Sequence, residues 1–147
     1  MTTTAEDFAA CCESMRGSRW RLHGRTPSIG LDCAGLVIAA AQEVGIAMQD
    51  SRDYDARMPA PELLWGLCTR NGESFGLDDQ GTGRVGLCSI KRGGPARHLV
   101  VMLDRRRIVH VDSSVRRVTV VPASWTEGRL LSVWRVRGLE YGAPWPA

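Results

Sequence analysis

The sequence predicts an α+β fold built as one domain over residues 1–147. Three observations carry that prediction. Helical periodicity is confined to the first half of the chain, and short β-branched or alternating runs fill the second. Helices followed by a run of strands are the pattern of an α+β domain. One helix, beginning at Cys33, is apolar almost all round, so it belongs at the centre of the domain.

The elements follow in order. Ala5 to Met15 reads as a helix with Thr4 as its N-cap and Phe8, Ala9, Cys12 and Met15 along one stripe. Gly17 to Leu31 is a polar loop containing Trp20 and punctuated by Gly24, Pro27 and Gly30. A second helix runs from Cys33 to Val44, capped by Asp32 and stopped by Gly45. Asp50 to Pro59 is polar and irregular. Pro61 to Arg70 is a third helix, with Pro61 near its first position and Asn71-Gly72 ending it. Strands are expected at Arg84 to Lys91, His98 to Leu103, Arg107 to Asp112, Arg117 to Val121 and Leu130 to Val136. The tail from Gly142 to Ala147 reads as extended, and no repeat or linker divides the chain.

Composition narrows the function. With 44% hydrophobic and 24% charged residues the chain suits a globular domain. No run is long and apolar enough to span a bilayer. The start, Met1 to Asp7, has neither a basic nor an apolar leader segment, so the expectation is a protein made in the cytoplasm without a signal peptide. The net charge of +3 is small, and the patches Arg105-Arg106-Arg107 and Arg116-Arg117 lack interleaved aromatics, which argues against nucleic acid. The 5 cysteines are odd in number and form no CxxC pair. A disulfide framework and a structural zinc site are therefore not expected, and neither is a metal or organic cofactor.

Cys33 stands apart from the other cysteines. It sits where a glycine-flanked loop gives way to a helix, in Gly30-Leu31-Asp32-Cys33-Ala34-Gly35-Leu36-Val37. The positive end of a helix dipole favours thiolate there. Two of the 3 histidines lie downstream in strand-like sequence, His98 and His110. Cysteine and distant histidine are the raw material of nucleophilic acyl chemistry. The histidines meet only if the strands 98–103 and 107–112 pair in the right register. A three-residue turn, Asp104 to Arg106, pairs His98 with Asp112 and puts both imidazoles on one face. A plain two-residue turn at Arg105-Arg106 puts them on opposite faces, so an odd loop or a bulge is required. Asp112 shares their parity and is an alternative orienter of His98.

Taken together, Gly17-Ser18-Arg19-Trp20, the Asp32-Cys33-Ala34-Gly35-Leu36-Val37 segment, His98-Leu99-Val100-Val101-Met102-Leu103 and Ile108-Val109-His110 resemble the NlpC/P60 cysteine peptidases in order along most of the chain. Leu22-His23-Gly24-Arg25 looks most like members from phage-tail and gene-transfer-agent clusters. The resemblance implies a papain-like fold, with N-terminal helices and the nucleophile helix packed on a C-terminal antiparallel sheet. It implies a cell-wall hydrolase, a thiol endopeptidase or amidase acting on peptidoglycan stem peptide at γ-D-glutamyl to diamino-acid bonds. Cys33, His98 and His110 fall on nucleophile, base and third polar residue. Asp32 falls on an aspartate that helps bind a substrate amine, and Trp20 and His23 lie where substrate contacts are expected. Phage-tail or transfer-particle proteins are the implied partners, and incorporation into such a particle would carry the protein to the wall. Two positions depart from the pattern: Ala34 stands where serine is common, and Trp20 where tyrosine is. Those departures keep two rival readings in view, a non-catalytic peptidoglycan-binding tail component and an acyltransferase using the same Cys-His site.

Overall fold

In a computed structural model the fold is described for residues 2–55 and 59–147. The α+β expectation holds: three helices pack on a six-stranded antiparallel sheet. Helix α1 spans Ala5–Ser14 and opens with a capping box, in which Thr4 and Asp7 satisfy each other's backbone N–H groups. Helix α2 spans Cys33–Glu43, and every residue from Cys33 to Ala41 is buried. Its chain leaves through Gly45, whose φ of 90° is the left-handed turn expected after a helix end. Helix α3 spans Pro61–Asn71 with proline in its first turn. The Asn71 side chain ties the helix end to the backbone of Gln49 and Leu67.

Three short strands carry no sequence signal. Strands β1 (Arg25–Thr26) and β2 (Gly30–Leu31) form a small hairpin just before α2. Strand β3 (Gly72–Ser74) follows α3 without a loop. The remaining strands are β4 (Val85–Ser89), β5 (Ala96–Asp104), β6 (Arg107–Asp112), β7 (Arg117–Pro122) and β8 (Leu130–Val136). The sheet order is β3-β8-β4-β5-β6-β7. Strands β4 to β7 form the expected meander, but β8 returns past it to pair with β4 on the far side. The irregular reading of Asp50 to Pro59 holds where the chain is described, with residues 56–58 lying outside the described residues.

The sheet has two covered faces. Leu99, Val101, Leu103, Val109 and Val111 point to the helices and share a cluster with Phe8, Leu36 and Ile38. Val100, Met102 and Ile108 point the other way, beneath Trp125 and Trp145. Trp125 belongs to a single 3₁₀ turn, Ala123–Thr126, between β7 and β8. Among the described residues no helix is long and apolar enough to cross a membrane.

Candidate active site

The start of α2 is fixed by close backbone approach. A Cβ on Gly35 would lie 1.8 Å from the Gly24 carbonyl oxygen, and one on Gly24 would lie 2.2 Å from that of Gly30. Only glycine fits at either place, so the β1–β2 hairpin and the first turn of α2 lock together. This packing sets Cys33 at the first position of the helix, with Asp32 as the N-cap accepting from the Gly35 N–H.

Asp32 is 1% exposed and accepts four hydrogen bonds. Its Oδ1 takes the Gly35 N–H and an Arg25 Nη1–H, each at 2.8 Å. Its Oδ2 takes the His23 N–H at 3.0 Å and the Tyr54 hydroxyl. Arg25 in turn holds Asp50 through Nε and Nη2, the Gly24 and Ser51 carbonyls, and Tyr54. A buried carboxylate needs such partners, because an unpaired charge away from water is strongly disfavoured. A substrate amine at Asp32 would have to displace one of these donors. His23 has a φ of 60°, and its ring lies edge-on to Tyr54 with Nε2 against the Tyr54 carbonyl. Trp20 donates its backbone N–H to Arg116, bridges to Leu31 and lies under the Arg116 guanidinium.

The two histidines meet. His98 Nε2 and His110 Nδ1 are 2.8 Å apart, with both rings buried. The register that allows this differs in detail from the three-residue turn. The turn is Arg105-Arg106, closed by Asp104 opposite Arg107, and a bulge at Leu103 takes up the odd residue. Val101 then pairs with Val109, so parity puts His98 and His110 on one face. That face is the one Trp125 covers, with ring centroids 5.6 Å from His98 and 4.7 Å from His110. Nothing in the sequence singled out Trp125 for this place. The 3₁₀ turn that carries it is remote in sequence from both histidines.

Cys33 belongs to the helix-facing cluster, together with Leu99 and Val101 of β5. The β5–β6 ladder ends at Val101 opposite Val109, so the strands part before His98. Met102 donates its N–H toward β4, to the Arg84 carbonyl. Backbone N–H groups alternate sides along a strand, so that of Leu99 points away from β4, past the end of the β5–β6 ladder. The Leu99 N–H, one residue from His98, acts on the Cys33 thiol to lower its pKa.

Charge at the site follows from burial. Burial and the neighbouring Asp32 push the Cys33 thiol up to about 12, against the smaller opposing pull of the Leu99 and Ala34 N–H groups and Arg25. The helix-start preference for thiolate is thus outweighed, and the resting group is a thiol. Burial lowers His98 to about 3, with His110 acting in the same direction and Asp112 opposing. It lowers His110 to about 4, again with Asp112 opposing. Both imidazoles are neutral at pH 7.

The fold has known counterparts among solved structures. No family model matches the sequence, and no curated protein matches it. Among solved structures the architecture is that of the NlpC/P60 papain-like domains. The chain is similar to the NlpC/P60 domain of the peptidoglycan hydrolase SagA, with 16% identity and a TM-score of 0.64 over 91% of this chain and 100% of that one. It is also similar to an NlpC/P60 family protein from Bacillus cereus, with 19% identity and a TM-score of 0.69 over 92% of this chain but 41% of that one. The peptidoglycan hydrolase RipB from Mycobacterium tuberculosis matches with 20% identity and a TM-score of 0.65 over 93% of this chain and 65% of that one.

Proposed function

We propose that the protein is a cell-wall hydrolase, a thiol endopeptidase or amidase acting on peptidoglycan stem peptides with Cys33, His98 and His110. The observation that carries this reading is the paired imidazoles on β5 and β6, with a helix-start thiol whose pKa is lowered by the N–H of Leu99, the residue after His98. The likeness to domains described as peptidoglycan hydrolases supports the substrate class.

The chemistry runs through groups of this chain. His98 Nδ1 takes the Cys33 proton as sulfur attacks the amide carbonyl. Because the resting thiol is protonated, transfer accompanies attack rather than preceding it. The Cys33 N–H, at a helix start with no acceptor inside the helix, faces the developing oxyanion. His98 then protonates the leaving amine, and the C–N bond breaks to give a thioester on Cys33. Water, deprotonated by the same His98, attacks the thioester carbonyl and releases the acid. His110 holds the His98 ring throughout.

The bond cleaved in this reading joins γ-D-glutamyl to the diamino acid. Trp20 and His23 border the nucleophile in the loop before it, and Asp32 would receive a substrate amine by release of the Tyr54 hydroxyl. The resemblance of Leu22 to Arg25 to phage-tail and gene-transfer-agent members supports action from such a particle. Purified peptidoglycan tests the core of the proposal. Cys33→Ala should fold as the parent does and release no stem-peptide fragments; undiminished release would refute the nucleophile. Binding of stem peptide by the parent without turnover would instead favour a non-catalytic wall-binding role.

A further inference from the structure

His110 Nε2 is buried without a hydrogen-bond partner, and its nearest charged neighbour is Asp112 Oδ2 at 3.9 Å. Asp112 is held firmly. Its Oδ1 accepts from the Ser114 N–H at 2.8 Å, the Ser114 hydroxyl at 2.7 Å and the Val115 N–H at 3.3 Å. All the turn's bonds go to one oxygen, which leaves Oδ2 toward the imidazole. The same residues border a pocket of about 200 Å³ with Ile90 and Trp125.

Proton placement follows from this arrangement. For His98 to accept a proton on Nδ1, its own proton must sit on Nε2 and be donated to His110 Nδ1. His110 Nδ1 must then be bare, and its proton must lie on Nε2, facing Asp112. Trp125 and its own partner Arg129 offer no competing acceptor there, since Arg129 stacks on the Trp125 ring and donates to the Trp125 and Ile90 carbonyls. We propose that Asp112 is a positioning residue that sets the tautomer of His110 and, through it, that of His98, so that the site is a four-member chain from Cys33 to Asp112. This deepens the proposed function and rests on His98 serving Cys33 as base.

The test is Asp112→Asn. Asparagine keeps Oδ1 for the Ser114–Val115 turn, so a purely structural role is preserved. Its amide presents N–H to His110 Nε2, which draws the His110 proton to Nδ1 and forces the His98 proton onto Nδ1. Long-range ¹H–¹⁵N spectra of the ring nitrogens read this without any substrate. The parent should show His110 and His98 both protonated on Nε2, and Asp112→Asn should show both on Nδ1. Iodoacetamide alkylation of Cys33 at pH 7 should slow about 10²-fold in Asp112→Asn and less in Asp112→Ala. A parent spectrum with His110 protonated on Nδ1 would overturn the proposal, as would tautomers unchanged by the asparagine. Correct tautomers in a protein that cleaves no wall peptide would leave this inference standing and sink the proposed activity.

Discussion

Replacing Arg25 by methionine isolates the clamp beneath the nucleophile. The Arg25 side chain is 7% exposed and its partner Asp32 is 1% exposed, at 2.8 Å. Removing the guanidinium leaves Asp32 with the Gly35 and His23 N–H groups and the Tyr54 hydroxyl, but no counter-charge. Breaking a buried pair in this way costs about 3–5 kcal/mol. The outer arm to Asp50, which is 24% exposed, adds only about 0–1 kcal/mol because solvent screens it. A loss of about 4 kcal/mol, at a urea slope of about 2 kcal/mol/M, moves the midpoint down by roughly 2 M. Pairing the change with Asp32→Asn removes the orphan charge while keeping an acceptor for Gly35. The double variant should therefore recover much of the loss, a coupling of at least about 1.5 kcal/mol. Cys33 should also alkylate more slowly in the single variant, because Arg25 lowers the thiol's pKa and Asp32 raises it. A midpoint shift below about 0.5 M, or strict additivity in the cycle, would refute the idea that this pair holds the helix start.

The buried histidines make stability depend on pH in a set direction. Their folded values, about 3 and about 4, lie below the ordinary imidazole value of about 6.5, so the unfolded chain binds protons first. Their contribution is complete above pH 6.5 and is lost as pH falls from there toward 4 and then 3. Urea midpoints should drop steeply from pH 6.5 to 5, and a His98→Gln/His110→Gln variant should flatten that slope; parallel slopes would contradict the assignment. Gly35→Ala should fail to accumulate as folded protein, since its Cβ would meet the Gly24 carbonyl at 1.8 Å. A soluble alanine variant with parental thermal unfolding would show that the hairpin yields more easily than its packing suggests.

The elements most legible in the sequence are those whose signals are local. Helix α2 announced itself through Asp32, an unbroken apolar run and Gly45; it starts at Cys33 as expected and ends one residue earlier, at Glu43. The histidine pairing was legible as a condition on register, and the bulge at Leu103 is the form in which that condition is met. What escaped depends on distant partners. Two-residue strands such as Arg25–Thr26 show no alternation to read. The place of β8 between β3 and β4 is decided by packing across the sheet. The fourfold partnering of Asp32 draws on Tyr54, and Trp125 arrives over the histidines from the far side of β7. The thiolate expectation failed for a different reason. The helix dipole favours thiolate but burial opposes it, and burial cannot be read from a single residue's neighbours.

The proposed chemistry sets the sheet two demands that conflict. A thiol at the start of a buried helix must lie on the helix side of the sheet, and two imidazoles on one parity with Val100 and Ile108 must lie on the other. A continuous ladder would wall them apart. The β5–β6 pairing ends at Val101 and Val109, which leaves the Leu99 N–H outside that ladder, and the proposed chemistry needs access between the faces at this end. The cost is that strands β5 and β6 lose ladder bonds at this end. The His98–His110 hydrogen bond, Trp125 across both rings and the Asp112 turn bind the parted ends in their place. Those side-chain contacts therefore do two things at once: they hold the imidazoles in orientation, and they join the strand ends where backbone pairing stops.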